Sequence, residues 1–285
     1  MIKIIKILLI PFLVLFVGFQ LIDILNLTSK IKFAKKPETT IFVPKDLTLD
    51  FNSLIDEIKK ENGTYSIYIN DLKSQKTYVY NENQQYYAAS LFKLPVGVAV
   101  LKQIDAKNAT FDDKLTYYPR HATFGTGYIN QTTYNTEYSL NDLLRALFKN
   151  SDNTAQTMLL EKYNINTKTV REVFPKLGTT DYYHLNESSA LELGEYLSTI
   201  YSGTELSTTS KKYLFDVMHK TDFDKYFATN INGSFSHKIG LWGGLIHDCG
   251  IITDKDIVVC VMSTGATESQ FMEISKKIAA FLNLL

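Results

Sequence analysis

Apolar and polar positions change rhythm several times along the chain, and the first stretch has no rhythm at all. Ile7 to Leu25 (ILLIPFLVLFVGFQLIDIL) is nearly all apolar. At about 1.5 Å per helical residue, such a run comes close to crossing a hydrocarbon core of roughly 30 Å. Lys3 and Lys6 precede it, which places the short N-terminus inside; Lys30, Lys32, Lys35 and Lys36 follow it and weaken that signal. A cleaved signal peptide competes with an anchor, but no small-x-small site follows the run and no cysteine is there to carry a lipid. We therefore expect residues 1–27 to be a single-pass membrane anchor or uncleaved signal. Residues 28–49 read as a polar, basic linker with Pro37 and Pro44, and 50–285 as one domain outside the cytoplasm.

From Asp50 the pattern becomes periodic. Asp50–Glu61 has apolar residues at helical spacing and stops at Asn62-Gly63. Tyr65–Leu72 and Lys76–Tyr80 alternate and are joined by Lys73-Ser74-Gln75, which predicts a hairpin. Helices are expected over Ser90 to about Ile104, in one or two pieces over Ser139–Tyr163, and over Ala190–Tyr201 and Thr208–Lys220. Leu245–Thr253 and Asp256–Ser263 read as strands around Asp254-Lys255, and Ser269–Leu285 as an amphipathic closing helix. Strands at both ends with helices between them predict an α/β protein: one antiparallel sheet flanked by helices, beside a helical insertion.

Composition narrows the function classes. The chain has 285 residues, with 30 Lys+Arg against 30 Asp+Glu, so it lacks the basic excess that a nucleic-acid surface needs. Two cysteines, Cys249 and Cys260, exclude a disulfide scaffold and a four-cysteine zinc site. They lie nearly symmetrically about the Asp254-Lys255 turn, where a disulfide and two buried thiols are equally compatible with the spacing. The five histidines are scattered, with no zincin pair, and no phosphate-binding glycine motif is present. Neither a metal nor a cofactor is expected.

The chemistry is expected at Ser90-Leu91-Phe92-Lys93. Serine and lysine at i and i+3 share a helix face, so the amine can reach the hydroxyl. A serine needs an adjacent base, and a buried lysine near other positive charge can serve. A helix start also aims backbone N–H groups at a developing oxyanion. Taken alone the pattern is weak: Ser29-Lys30-Ile31-Lys32 matches it inside the linker, and a cap with a surface lysine would explain it equally well. Pro95 counts against a helix interior at that point.

Two further elements change the picture: Ser151-Asp152-Asn153, within the helix-rich stretch, and Lys238-Ile239-Gly240, which opens the final run of strands. In this order the three motifs resemble those of the class A serine β-lactamases and the related penicillin-binding DD-peptidases. The resemblance runs from about Asp50 to Leu285. It implies an α/β sandwich with an all-helical subdomain, and a cleft between them. It further implies that Ser90 is acylated, Lys93 activates it, and Ser151 relays a proton to the leaving nitrogen. Asn153 would hold the substrate amide and Lys93. Lys238, with Gly240 beside it, would bind the substrate carboxylate, and the N–H groups of Ser90 and Leu241 would form the oxyanion hole. The implied partner is a β-lactam or a peptidoglycan stem peptide, taken by a monomer.

Two departures bear on activity. The middle residue of the third motif is Ile239 rather than threonine or serine, whose hydroxyl helps bind the carboxylate in the family. The family's Glu-x-x-Leu-Asn, which supplies the deacylating base, aligns with Leu185-Asn186 and leaves Tyr182 at the glutamate position. An acyl-enzyme should then turn over slowly, with Glu187 as a substitute base only if it reaches the site. A non-enzymatic cell-wall binding or sensor module is the competing class, and a hydrolase of some other amide or ester a third.

Overall fold

A computed structural model of the chain describes residues 48–173 and 186–284. The apolar run Ile7–Leu25, nearly all of the linker, Tyr182 and Leu185 lie outside them. Among the described residues no helix is long and apolar enough to cross a membrane.

The chain begins with α1 (Thr48–Ile58), followed by the hairpin β1 (Thr64–Asp71) and β2 (Lys76–Tyr80). Asp71 closes that hairpin, its carboxylate accepting from the N–H groups of Lys73 and Ser74 and from the Ser74 hydroxyl. After the short β3 (Tyr86–Tyr87) comes a 3₁₀ turn (Ala89–Phe92), then α2 (Lys93–Asp105), β4 (Lys114–Thr116) and β5 (Glu137–Ser139). The helical region continues with α3 (Leu140–Lys149), α4 (Asn153–Lys162) and α5 (Thr167–Val173), and after β6 (Glu187–Ser188) with α6 (Ala190–Ser202) and α7 (Thr208–Val217). The short α8 (Phe227–Asn230) leads to β7 (Phe235–Trp242), β8 (Leu245–Ile252), β9 (Ile257–Thr264) and α9 (Glu268–Phe281).

The main sheet is antiparallel, in the order β2-β1-β9-β8-β7. Strands from the two ends of the chain meet where β1 pairs with β9, with Ile67 opposite Val261 and Ile69 opposite Val259. Side chains alternate between faces with period two. Ile67, Ile69, Val259 and Val261 pack against Phe51, Ile58, Ile274 and Ile278 of α1 and α9. Tyr68, Val258, Cys260 and Met262 face Leu193 and Leu197 of α6 and the helical region. Cys249 and Cys260, a register pair on that second face, form a disulfide and are fully buried. The sheet thus decides between the two cysteine states that the spacing leaves open.

Two sequence expectations are refined where they matter. The helix expected from Ser90 divides at Lys93, so Pro95 falls in the first turn of α2, where its missing N–H has no helical acceptor to lose. The helical stretch from Ser139 breaks at Asn150–Asp152, and Ser151 there adopts a φ of 52°. Ser139 caps α3, and Asp152 caps α4 by accepting from the Ala155 N–H. The Ser-Asp-Asn sequence therefore occupies a helix break rather than a helix.

Candidate active site

The nucleophile turn is held from three sides. Tyr86 and Tyr87 pair with β6, and the Ala88 N–H donates to the Asn186 carbonyl. Beneath them, buried His247 accepts the Ser263 N–H at Nδ1 (3.2 Å), which leaves Nε2 to donate to the Tyr87 carbonyl (3.0 Å). Burial holds this imidazole down at about 4, so it stays neutral and keeps that tautomer. From the edge of the sheet, β7 runs against the turn. A Cβ at Gly240 would stand 2.6 Å from the Ala88 carbonyl oxygen, so only glycine permits the approach. Ala89 has a φ of 50°, a strained value for a residue with a side chain, immediately before Ser90.

Lys93 is 1% exposed, and its Nζ donates to Ser90 Oγ at 2.9 Å and to Asn153 Oδ1 at 2.7 Å. Desolvation lowers its pKa from 10.5 to about 8, against the opposing pull of the Asp152 carboxylate. Asn153 in turn donates from Nδ2 to the Phe124 carbonyl (2.9 Å), fixing the orientation of its amide. Asp152 points away from the site. Its Oδ2 accepts from the N–H groups of Tyr128 and Ile129, which fastens the loop carrying Phe124-Gly125-Thr126 to the start of α4. Gly127 makes room for that carboxylate: its φ is 106°, and a Cβ there would come 2.2 Å from Asp152. Thr126 Oγ1 closes the contact by donating to the Ser151 carbonyl.

These elements enclose a cavity of about 300 Å³. Ser90, Lys93, Ser151, Asn153 and Leu241 all line it, so four of the motif residues and the expected oxyanion donor from β7 come together. Gly240 acts through its packing on Ala88. Lys238, expected to bind a carboxylate, does not itself line the cavity. It is 2% exposed, and its Nζ donates to the Ile239 carbonyl (3.0 Å) and lies 5.7 Å from the Phe223 ring centroid. Burial, reinforced by Lys93, holds this amine well below the ordinary lysine range. On that side the cavity wall is formed by Ile239, Leu241 and Trp242. Asn186 lines the cavity as well, whereas Glu187 lies one residue on, in β6 opposite Tyr87.

The comparisons with known proteins agree with this geometry. The family model described as "Beta-lactamase enzyme family" matches residues 47–282. The chain belongs to that family. A β-lactamase of Bacillus subtilis (strain 168) is 32% identical over 110 residues, covering 36% of this chain and 33% of the relative. An imipenem-hydrolyzing β-lactamase of Enterobacter cloacae is 28% identical over 132 residues, 45% of each chain. The chain thus matches less than half the length of these curated relatives. Among solved structures, PBP-A superposes with a TM-score of 0.75 at 21% identity, covering 86% of this chain and 100% of that one. A β-lactamase from Sphaerobacter thermophilus DSM 20745 gives 0.74 at 19%, covering 83% and 98%. The fold is that of the class A β-lactamases, as the three motifs imply.

Several functional positions have no local sequence signal. His237 is one: Nδ1 lies 2.7 Å from Asp248 Oδ1 and Nε2 lies 3.3 Å from Asp224 Oδ1. Burial alone would depress it, but the two carboxylates outweigh that and lift it to about 9. The same cation helps hold Asp224 down at about 2, despite the upward push of burial. The trio fixes the start of β7, one residue before Lys238. Phe223, Thr123 and Thr157, which line the cavity, are likewise visible only in three dimensions.

Proposed function

We propose that this chain is a membrane-anchored, extracytoplasmic serine hydrolase that forms an acyl-enzyme through Ser90 with β-lactams or with peptidoglycan stem peptides, and releases the acyl group slowly. The observation that carries the reading is the contact between Lys93 Nζ and Ser90 Oγ at 2.9 Å, with the amine lowered to about 8. Once Lys93 has lost its proton, the same contact runs the other way: the hydroxyl donates, and Ser90 attacks the substrate carbonyl as the proton passes to Lys93. The N–H groups of Ser90 and Leu241 receive the oxyanion. As the carbonyl–nitrogen bond breaks, Ser151 gives its proton to the departing nitrogen and is reprotonated with the one that Lys93 took from Ser90. No cofactor enters this scheme.

Slow release follows from Tyr182 at the position of the family's general base, with Asn186, not Glu187, lining the cavity. That favours a penicillin-binding or DD-peptidase-like action over an efficient β-lactamase. A glutamate-for-leucine mutant of PBP-A, a structural neighbour, has been described as an acyl-enzyme complex with penicillin G. The anchor is the run Ile7–Leu25, joined through residues 28–47 to the folded domain.

The test is intact mass over time after mixing the protein with a penicillin, with Ser90→Ala alongside. A lasting adduct on the native protein and none on Ser90→Ala is the expected result. A transient adduct with the drug consumed would replace slow release by true β-lactamase turnover. No adduct at all would refute the acyl-enzyme reading for β-lactams and make stem peptides the next substrates. Membrane fractionation of cells expressing the full chain tests the anchor: protein found wholly in the supernatant would refute it.

A further inference from the structure

Among the described residues that line the cavity, only Lys93 carries a charge, and its Nζ already donates to Ser90 and Asn153. The wall from β7 presents Ile239, Leu241 and Trp242. Tyr87 stands beside Trp242, with ring centroids 6.3 Å apart, and Phe223 lies next to Lys238. The ammonium expected to answer an anion here, Lys238, is buried and spends a hydrogen bond on the Ile239 carbonyl. The acid adjoining Phe223, Asp224, is engaged with His237. Against the β7 wall a carboxylate would lose its hydration to apolar side chains and, among the described residues, meet no free cation. An ester, an amide or a hydrocarbon group at the same place would lose little on entering, and would gain from contact with the exposed Leu241 and Trp242 beside Ile239.

We propose that this cavity selects substrates with no negative charge next to the bond that Ser90 attacks: a lactam or linear amide whose neighbouring acid is esterified, amidated or absent. The proposal rests on the acyl-enzyme reading above and sharpens its substrate class. The depressed basicity of Lys238, caused by burial and by Lys93, supports it by weakening the counter-ion of the third motif.

Benzylpenicillin and its methyl ester differ only at that acid, and so separate the two failures. The full chain, in detergent, is mixed with each compound, and the rate of Ser90 acylation is followed by intact mass. The ester is expected to react at least as fast as the acid. Ile239→Thr, which adds a hydroxyl donor to the wall, is expected to shift the acid-to-ester rate ratio toward the acid by roughly ten- to hundredfold. An acid that outpaces its ester on the native protein would overturn the inference and leave the acyl-enzyme reading standing. An unchanged ratio in Ile239→Thr would overturn the assignment of this selectivity to Ile239. If neither compound labels Ser90, the acyl-enzyme reading for β-lactams falls, and this inference falls with it.

Discussion

Replacing Asn153 by aspartate puts a carboxylate where the amide oxygen now lies, 2.7 Å from Lys93 Nζ. With Lys93 at about 8, roughly one-tenth of it is neutral at pH 7, against about 0.03% for an unperturbed lysine. If neutral Lys93 is the base, acylation of the native protein should rise about tenfold per pH unit below 7.5 and level off above 8 to 9. A carboxylate at hydrogen-bond distance raises a lysine by about one to three units. In Asn153→Asp the inflection should therefore move up by that amount, and the pH 7 rate should fall by roughly ten- to a thousandfold and recover at high pH. The substitution also removes the Nδ2 donor to the Phe124 carbonyl, which would lower the rate at every pH. The diagnostic quantity is thus the position of the inflection. The assay is acid-quenched intact mass at timed intervals between pH 5.5 and 10. A profile lowered uniformly, with its inflection unmoved, would refute Lys93 as the base.

Three other outcomes follow from the same geometry. Gly240→Ala forces a Cβ to within 2.6 Å of the Ala88 carbonyl oxygen, so β7 must retreat from the nucleophile turn. Acylation should fall by about a hundredfold, with a melting temperature only a few degrees lower, read by mass and circular dichroism. Cys249→Ala with Cys260→Ala opens a loop of sequence separation 11. Its urea stability should drop by about 2–3 kcal/mol, and a native protein that gains no mass on reduction would count against the pairing. His237 has a raised pKa, so its stabilisation is complete below the ordinary 6.5 and is lost as pH rises through about 9. Comparing His237→Gln with the native protein, the stability gap should narrow by on the order of 3 kcal/mol between pH 6 and pH 10. A gap that stays constant would refute the charge trio.

Local pattern made part of this protein legible. The i, i+3 spacing of Ser90 and Lys93 brings amine and hydroxyl together whatever the rest of the chain does, and the contact is present at 2.9 Å. The alternation of β1, β8 and β9 likewise carries its own answer, since one face must meet α1 and α9 and the other the helical region. Long-range partners were another matter. The motif alone predicts a role for Lys238, but where its amine points depends on Phe223 and the Ile239 carbonyl, which no spacing reveals. Asp224 reaches His237 only because a loop folds over the start of β7. The Ser-Asp-Asn break looked helical because its neighbours are apolar at helical spacing; the left-handed Ser151 is held by Asp152 and Thr126, contacts made across the loop.

What decides between an enzyme and an inert binding domain is the set of groups held around Ser90 at a cost to stability. Ala89 and Ser151, on either side of the cavity, both hold left-handed backbone without being glycine, at a cost of about 1–3 kcal/mol each. Lys93 is buried and depressed to about 8, which by itself disfavours the folded state at neutral pH by on the order of 3 kcal/mol. Lys238 is buried beside it, and among the described residues its amine donates to a backbone carbonyl, that of Ile239. A binding domain could relax all four with single substitutions, to glycine or to a neutral side chain, and become more stable. Their joint presence around one serine is what acyl transfer requires: a base kept partly neutral, and a turn held open for an oxyanion. The replacement at Ile239 fits that view as a change in what is bound. It alters the wall of the cavity and leaves the Ser90–Lys93–Asn153 contacts in place.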